Sequence, residues 1–190
     1  MAQGVYSYIK QAFRNVSRED TQTRLIQWRA SEAAEVVDKP LRLDKARMLG
    51  YKAKKGFVVV RVRVKRGGRT RTRHNHGRKS RKQHIRKILK MNYRWVAEIR
   101  AANKFLNLEV LNSYLIGKDG KHAFFEVIMV DPQRPEIKND KDINWICSDS
   151  NRKRAHRGIT SAGKKSRGLR TKSHALKTRP SQRAWGRRGK

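Results

Sequence analysis

The sequence predicts an α+β fold, in which helices cover a small β-sheet. Within residues 56–66, valine alternates with arginine or lysine from Val60 to Lys65, which is the period of a strand with one buried face. Residues 108–116 and 122–130 are apolar segments joined by an Asp-Gly step at 119–120, which predicts a hairpin with a tight turn. Apolar residues at helical spacing before and between these strands predict the covering layers.

Three helices are predicted before the first strand. Residues 4–16 place apolar side chains at helical spacing. A second helix is expected to begin at Ser17, because two carboxylates follow it in the first turn. This helix is expected to fade near Pro40. A short third helix is predicted from Asp44, as its N-cap, to Gly50, which ends it.

The strand at 56–66 is predicted to have two different faces, because successive side chains point to opposite sides. One face consists of Val58, Val60, Val62 and Val64. The other consists of Arg61, Arg63 and Lys65. We expect the valine face to pack on the core and the cationic face to contact phosphates. An ordinary half-solvated strand is the alternative interpretation.

The remaining elements follow from similar signals. Gly67-Gly68 ends the strand, and residues 69–82, with hardly any apolar content, are expected to form a long basic loop. Helical periodicity returns from about Gln83. Residues 122–130 are apolar on both faces, which predicts a central strand. A short helix is expected around 134–145.

The charge of the chain is strongly segregated. The formal net charge is +34, yet all 15 acidic residues lie in residues 1–44 and 98–150. Residues 45–97 carry 20 Lys or Arg, and residues 151–190 carry 15, with no carboxylate in either segment. Such a field cannot be neutralised internally, so it predicts a polyanionic partner, most simply nucleic acid.

Domain organisation follows the same division. We expect one α+β globular domain over residues 1–150, including a basic arm at 61–82. Residues 151–190 are expected to form a basic, extended C-terminal tail, because their composition cannot build a core by itself. The N-terminus lacks a signal-peptide pattern, and no segment reaches about 18 consecutive apolar residues, so an intracellular protein without a membrane span is expected.

Catalytic, metal and nucleotide sites are disfavoured. The segment 158–164 resembles the start of a P-loop, but Lys165 stands where Ser or Thr should bind magnesium. His74 and His76 have no nearby carboxylate or cysteine ligands, and Cys147 is the only cysteine. We therefore expect no cofactor and no metal. The segment 158–164 is expected instead to be a basic, Gly-rich element that contacts an RNA backbone. Trp185 is expected either to stack on a base or to pack on a neighbouring protein.

Three blocks of sequence resemble a known family. They are residues 44–56 (DKARMLGYKAKKG) running on to Arg69, residues 111–132 with LNSY and FFEVI, and residues 157–168 (RGITSAGKKSRG). Together they closely resemble the L15e family of large-subunit ribosomal proteins of archaea and eukaryotes. The resemblance covers essentially the whole chain. Residues 70–95 differ from the eukaryotic members and the tail stops soon after Trp185, features that favour an archaeal member.

This resemblance implies a structural constituent of the large ribosomal subunit, in the cytoplasm, that binds large-subunit rRNA. It implies an α+β domain with a small, mainly antiparallel sheet flanked by helices, and extensions that thread into RNA. It also implies neighbouring ribosomal proteins, for which the balanced regions 1–44 and 131–150 are candidates. No membrane association and no homo-oligomer are expected. The alternatives are a DNA-compacting chromatin protein and, less favoured, a nuclease or nucleotide hydrolase.

The predicted rRNA-binding residues lie in the two basic segments. From the first segment they are Lys45, Arg47, Lys52, Lys54, Lys55, Arg61, Arg63, Lys65, Arg66, Gly67, Gly68, Arg69, Arg71, Arg73, Arg78, Lys79, Arg81 and Lys82. From the second they are Arg154, Arg157, Gly163, Lys164, Lys165, Arg167, Arg170, Trp185, Arg187 and Arg188.

Overall fold

A computed structural model of the chain describes residues 4–68, 77 and 89–170. The first half contains α1 (Val5–Arg14), α2 (Arg18–Ala30), β1 (Ala34–Val37), α3 (Leu43–Met48) and β2 (Phe57–Lys65). The second half contains α4 (Tyr93–Lys104), β3 (Glu109–Lys118), β4 (His122–Val130), α5 (Pro135–Lys138), two 3₁₀ turns (Asn144–Cys147 and Asp149–Asn151) and α6 (Ser161–Ser166). The predicted loop at 69–82, apart from residue 77, and the predicted start of a helix at Gln83 lie outside the described residues.

The four strands form one antiparallel sheet in the order β1-β2-β4-β3. This confirms the predicted α+β class, the hairpin of β3 and β4, and the central position of β4. β4 pairs with β2 along its whole length, from Phe57 opposite Val130 to Lys65 opposite His122. Eight of its nine residues are buried, as expected for a strand covered on both faces.

Two hydrophobic clusters cover the two faces of the sheet. On one face Val60, Val62 and Val64 of β2 pack with Ala97 and Ala101 of α4, so the valine face of β2 is confirmed as a core face. The second cluster is built around the β4 residues Phe124 and Ile128, and includes Trp28, Ile137 and Ile146. Helices therefore cover the sheet on both sides, which is the arrangement that the apolar pattern of β4 predicts.

Strand β1 is absent from the sequence-based prediction, which extends the second helix toward Pro40. In the structure α2 ends at Ala30, and the chain then pairs with β2, with Ala34 opposite Val62 and Val37 opposite Val59. A strand of four residues carries little local signal. Its stability comes from the ladder with β2 and from cross-strand side-chain contacts, which are long-range.

Helix caps agree with the prediction at α2 and differ at α3. Ser17 caps α2, because its Oγ accepts a hydrogen bond of 3.0 Å from the backbone N–H of Asp20. The N-cap position of α3 is Arg42, and Asp44 lies in the first turn. Burial raises the pKa of the Asp44 carboxyl, but hydrogen bonds and the Arg42 guanidinium at 3.0 Å outweigh it and hold the pKa below its ordinary value.

Residues 151–170 pack against the body, whereas the sequence predicts an extended tail from residue 151. Ala155, Thr160 and Ala162 are at most 2% exposed. The Trp95 indole Nε1 donates a hydrogen bond of 2.6 Å to the carbonyl of Ala155. The segment has too little apolar content for a core of its own, and α4 supplies the surface on which it folds. Residues 171–190 lie outside the described residues.

Candidate nucleic-acid interface

One end of the sheet concentrates exposed cations. We call it the hairpin pole and define it as residues 65–68, at the end of β2, and residues 118–121, in the turn between β3 and β4. The backbone N–H of Arg66 donates to the carbonyl of Lys121 at 2.8 Å, so the two segments are held side by side. The exposed cations of the pole are Lys65, Arg66, Lys118 and Lys121.

Asp119 is the carboxylate of the hairpin pole, and it forms hydrogen bonds with the backbone of the turn itself. Its Oδ1 accepts hydrogen bonds from the backbone N–H groups of Lys121, at 2.7 Å, and of His122. Burial raises the pKa of Asp119, but these backbone hydrogen bonds outweigh it, so the net pKa lies below the ordinary value. The carboxylate stays ionised to shape the turn, and the lysines around it remain available to an anion.

Gly67 and Gly68 form the exposed backbone of the pole. Gly67 has a φ of +101°, in the left-handed region that favours glycine. Its N–H donates to the Tyr93 hydroxyl at 2.8 Å, which ties the end of β2 to the start of α4. Within the described residues, a Cβ on Gly68 would meet no atom within 4 Å. Packing among these residues therefore does not require a glycine at position 68, and they leave the space beside it to another group.

The cationic face of β2 is less available than the sequence predicts. Arg61 forms an ion pair of 2.6 Å with Glu35 of the unpredicted strand β1, and this hydrogen bond lowers the pKa of Glu35. The Arg61 guanidinium also lies 5.4 Å from the centroid of the Trp28 ring. Arg63 donates to the backbone carbonyl of Arg29. Among the three cations of this face, only Lys65 is exposed.

Lys52 and Lys54 join two distant parts of the chain. Lys52 Nζ lies 2.9 Å from Asp140 Oδ2 and 2.7 Å from Asp142 Oδ2. Lys54 forms an ion pair with Asp140 and donates a hydrogen bond of 3.0 Å to the carbonyl of Glu136. These two lysines, predicted to bind rRNA, therefore hold the loop before β2 against the region of α5. Of the other predicted cations here, Lys45 is half-buried, and Arg47 and Lys55 are exposed.

The Asp140 ion pairs should make folding stability depend on pH. Hydrogen bonds from Lys52 and Lys54 hold the pKa of Asp140 well below its ordinary value. The ionised carboxylate thus stabilises the folded state above about pH 3.8, and this contribution disappears as the pH falls through the lowered pKa. We expect Asp140→Asn to lower the midpoint of thermal unfolding at pH 7 by a few degrees, and the effect is no larger because the pair is partly solvated.

Circular dichroism melts at a series of pH values check this expectation. The difference between the wild type and Asp140→Asn should shrink as the pH falls below about 4. Asp38→Asn, at an exposed carboxylate, is the matched control and should leave the midpoint unchanged. Equal melting of both variants at pH 7 would contradict the structural role of Asp140.

Several cations of residues 151–170 have partners within the protein. Arg154 is 9% exposed, donates to the Val110 carbonyl at 3.0 Å and lies 4.5 Å from the Trp145 ring centroid. Other guanidinium contacts in this segment include Arg152 to Asp149, Arg157 to the carbonyl of Ser150, Arg167 to the carbonyl of Gly158 and Arg170 to the hydroxyl of Ser161. Lys164 is half-buried and Lys165 is exposed. Arg154 is therefore mostly engaged within the protein, and its contact with RNA stays a prediction.

The P-loop-like glycines serve internal packing. Gly163 is buried, and a Cβ at that position would lie 2.6 Å from the Cα of Gly158. A Cβ on Gly158 would in turn meet the Trp95 ring at 2.9 Å. The two glycines let the turn before α6 lie against the start of that helix. The prediction that Gly163 approaches an RNA backbone is at odds with its burial.

A buried polar network beneath this region is not apparent from the sequence. Glu98 of α4 is fully buried and accepts hydrogen bonds from the hydroxyls of Ser113 and Thr160, the latter at 2.6 Å. Burial raises the pKa of Glu98, against the effect of these hydrogen bonds and of the nearby Arg94. Arg94 also donates to Ser113 Oγ at 2.9 Å. The single carboxylate of α4 in an otherwise basic and apolar helix is the only sequence signal for this network.

Some predictions fall outside the described residues. They concern the rRNA-binding residues Arg69, Arg71, Arg73, Arg78, Lys79, Arg81, Lys82, Trp185, Arg187 and Arg188, and the histidines His74 and His76. Within the described ranges, no group of three or more His, Cys, Asp or Glu side chains is arranged to hold a metal ion. None of the helices in the same ranges is long and apolar enough to span a membrane.

Comparison with known proteins gives matches over nearly the full chain, among them a family model and one relative. A family model described as "Ribosomal L15" matches residues 4–185. The "Large ribosomal subunit protein eL15" of Methanocella arvoryzae is 47% identical over 196 residues, and the match covers 100% of this chain and 100% of that relative. All three blocks on which the sequence resemblance rests lie within both matches.

Proposed function

The chain belongs to the Ribosomal L15 family, and from this premise we propose that its hairpin pole binds phosphates of large-subunit rRNA. The sequence-based assignment to this family is confirmed. The protein is a structural constituent of the large ribosomal subunit in the cytoplasm, with rRNA and ribosomal proteins as partners, and it is not an enzyme. A role as a DNA-compacting chromatin protein has no support from these matches.

The observation that carries the proposal is the charge of the hairpin pole. Four exposed cations lie around one carboxylate, Asp119, that the turn itself requires. The pole also leads directly into residues 69–88, which contain nine Lys or Arg and no acid. A cationic surface continuous with a basic segment favours the ribose-phosphate backbone of RNA over any small acidic ligand.

The proposed interface contains the predicted cations that the structure leaves exposed. They are Arg47, Lys55, Lys65, Arg66, Arg157, Lys165 and Arg170. Lys118 and Lys121 join them, although the sequence-based prediction omitted both. The two lie outside the acid-free segments, and only the fold of the hairpin brings its turn beside the end of β2. The predicted cations at 69–82 and 187–188 remain part of the proposal on their charge alone, and Trp185 remains part of it because its aromatic ring can stack on a base.

Neighbouring ribosomal proteins are proposed to contact the region of residues 131–150. This region carries five carboxylates, and the side chains of Asp142 and Asp149 are 80% and 95% exposed. Exposed carboxylates repel phosphates, so this side of the molecule suits a basic protein better than RNA. We also propose that the chain is present in the subunit as a single copy, with no homo-oligomer.

The salt dependence of rRNA binding tests the proposed function. If about ten phosphates are neutralised, log affinity for a folded fragment of large-subunit rRNA should fall with log salt at a slope of about −7 to −9. A filter-binding or anisotropy titration from low to moderate salt measures this slope. A slope near −2, about two or three phosphate contacts, would contradict an interface built on the basic segments. Equal affinity for duplex DNA would favour a chromatin protein instead.

A further inference from the structure

An open cleft lies between α1, α2 and the end of β3, beside the hairpin pole. It encloses about 190 Å³. Its apolar lining includes Leu25, Trp28 and Ile116. Its cations are Arg14, Arg24 and Lys118, and no carboxylate is among the lining residues. The cleft therefore combines an apolar surface with a positively charged edge.

The apolar surface of the cleft is fixed by packing. Trp28 is 8% exposed, and its ring centroid lies 5.4 Å from that of Phe124, while the Arg61 guanidinium covers it at 5.4 Å. Gly117 permits this close approach, because a Cβ there would lie 3.1 Å from Cζ3 of Trp28. The register of β3 shifts between Leu115 and Gly117, which interrupts the regular edge of the sheet at the cleft. The floor is thus part of the second core cluster.

The charge of the cleft lining and its position beside the hairpin pole together indicate which ligand the cleft binds. A basic peptide would meet three cations and no acid in this cleft, so an anionic ligand is favoured. An anion alone would gain nothing from the apolar floor. A nucleotide satisfies both parts, because its base is flat and largely apolar on its faces and its phosphate is charged. Lys118 belongs both to the cleft and to the hairpin pole, so one RNA strand can reach the two sites.

We propose that the cleft receives an unstacked nucleobase from a single-stranded segment of rRNA whose phosphates cross the hairpin pole. This inference rests on the proposed function and adds a base-binding site to an interface otherwise made of phosphate contacts. The base lies against the apolar floor, and Arg14, Arg24 and Lys118 pair with the flanking phosphates. An apolar side chain of a neighbouring protein is the competing occupant.

Two threonines of α2 allow a matched test. Thr21 lines the cleft and Thr23 does not. Both are exposed, and both hydroxyls donate to the backbone carbonyl four residues earlier, at 2.9 Å for Thr21 and 3.0 Å for Thr23. Thr21→Phe should fill the cleft, whereas Thr23→Phe makes the same chemical change on the same helix outside it. Equal urea midpoints would show that both variants fold like the wild type.

The probe is a single-stranded adenosine hexanucleotide, compared with an abasic oligomer of the same length and charge. We expect Thr21→Phe to weaken binding of the hexanucleotide roughly 5- to 100-fold, as for loss of one base-stacking contact. Thr23→Phe should bind as the wild type does, and the abasic oligomer should bind all three proteins equally. Unchanged hexanucleotide binding by Thr21→Phe would overturn the base site while leaving the phosphate contacts of the proposed function intact.

A photoreactive side chain distinguishes the two occupants in the assembled particle. Thr21→p-benzoylphenylalanine, in reconstituted large subunits, is expected to crosslink to rRNA. Crosslinking to a ribosomal protein at this position would overturn the proposal in favour of the protein occupant. Thr23→p-benzoylphenylalanine serves as the control for reactivity that is not specific to the cleft.

Discussion

Replacing Lys65, Lys118 and Lys121 together by glutamine is expected to weaken binding to large-subunit rRNA about 100-fold in 0.15 M salt. Each lost phosphate contact removes about 0.7–0.9 from the magnitude of the salt slope, which corresponds to about 0.6–0.7 in log affinity at this salt relative to 1 M. Three lost contacts should therefore lower the slope by about 2–3. All three side chains are exposed, so the change should leave the fold intact.

A second triple variant separates position from net charge. Lys39, Lys138 and Lys141 are equally exposed but lie away from the hairpin pole. Their replacement by glutamine removes the same three charges and should change the affinity several-fold at most, through the long-range field alone. Binding titrations of both variants over a range of salt concentrations make the comparison. An equal loss of affinity in the two variants would show that the pole has no special role.

The second large effect concerns stability. Gly163→Ala is expected to destabilise the folded state by about 3 kcal/mol, near the upper end of the cost of overpacking. Helix propensity alone predicts the opposite sign, because alanine is favoured over glycine within a helix by about 1 kcal/mol. The added Cβ would lie 2.6 Å from the Gly158 Cα, and the atom in its way is backbone rather than a flexible side chain.

Urea denaturation of Gly163→Ala and Gly120→Ala checks this expectation. Gly120 lies in the hairpin turn, where a Cβ would meet no atom within 4 Å, so its variant should unfold close to the wild-type midpoint. Loss of the close packing between positions 163 and 158 in Gly163→Ala should also expose Trp95, because the Trp95 ring packs over Gly158. A Gly163→Ala protein as stable as the wild type would contradict the packing role assigned to the two glycines.

Local patterns in the sequence were sufficient to predict the main strands. The alternation at Val58, Val60, Val62 and Val64 marks a buried face, and the apolar residues 122–130 mark a central strand, because period and burial are properties of the segment itself. Strand β1 could not be found in this way. Its four residues are stabilised by pairing with β2, and that contact depends on the rest of the fold.

The sequence was sufficient to predict that the candidate interface is basic, but not which side chains form its surface. The sequence identifies two acid-free segments, whereas the fold determines which of their cations remain available. Arg61 is paired with Glu35, and Lys52 is paired with Asp140, because distant acids fold onto them. Conversely, Lys121 lies in a segment of balanced charge, and only the geometry of the hairpin places it beside Arg66.

Residues 151–170 of the C-terminal basic segment have one role that the structure shows and one that we propose. Residues 151–170 complete the folded body through Thr160, which donates to the buried Glu98, and through the contact of Gly158 with Trp95. Their composition resembles a solvated tail because the apolar and carboxylate partners lie on α4 and not in the segment. Exposed cations such as Lys165 remain on the outside of this packed segment and extend the proposed interface.

Photochemical crosslinking of the protein to RNA in intact large subunits, with the modified peptides identified by mass spectrometry, shows directly whether the hairpin pole contacts rRNA. We expect RNA adducts on the peptides that contain residues 65–68 and 118–121, and none on residues 131–150. Adducts confined to 131–150, with the hairpin pole unmodified, would show that rRNA lies on a different side of the molecule from the one proposed.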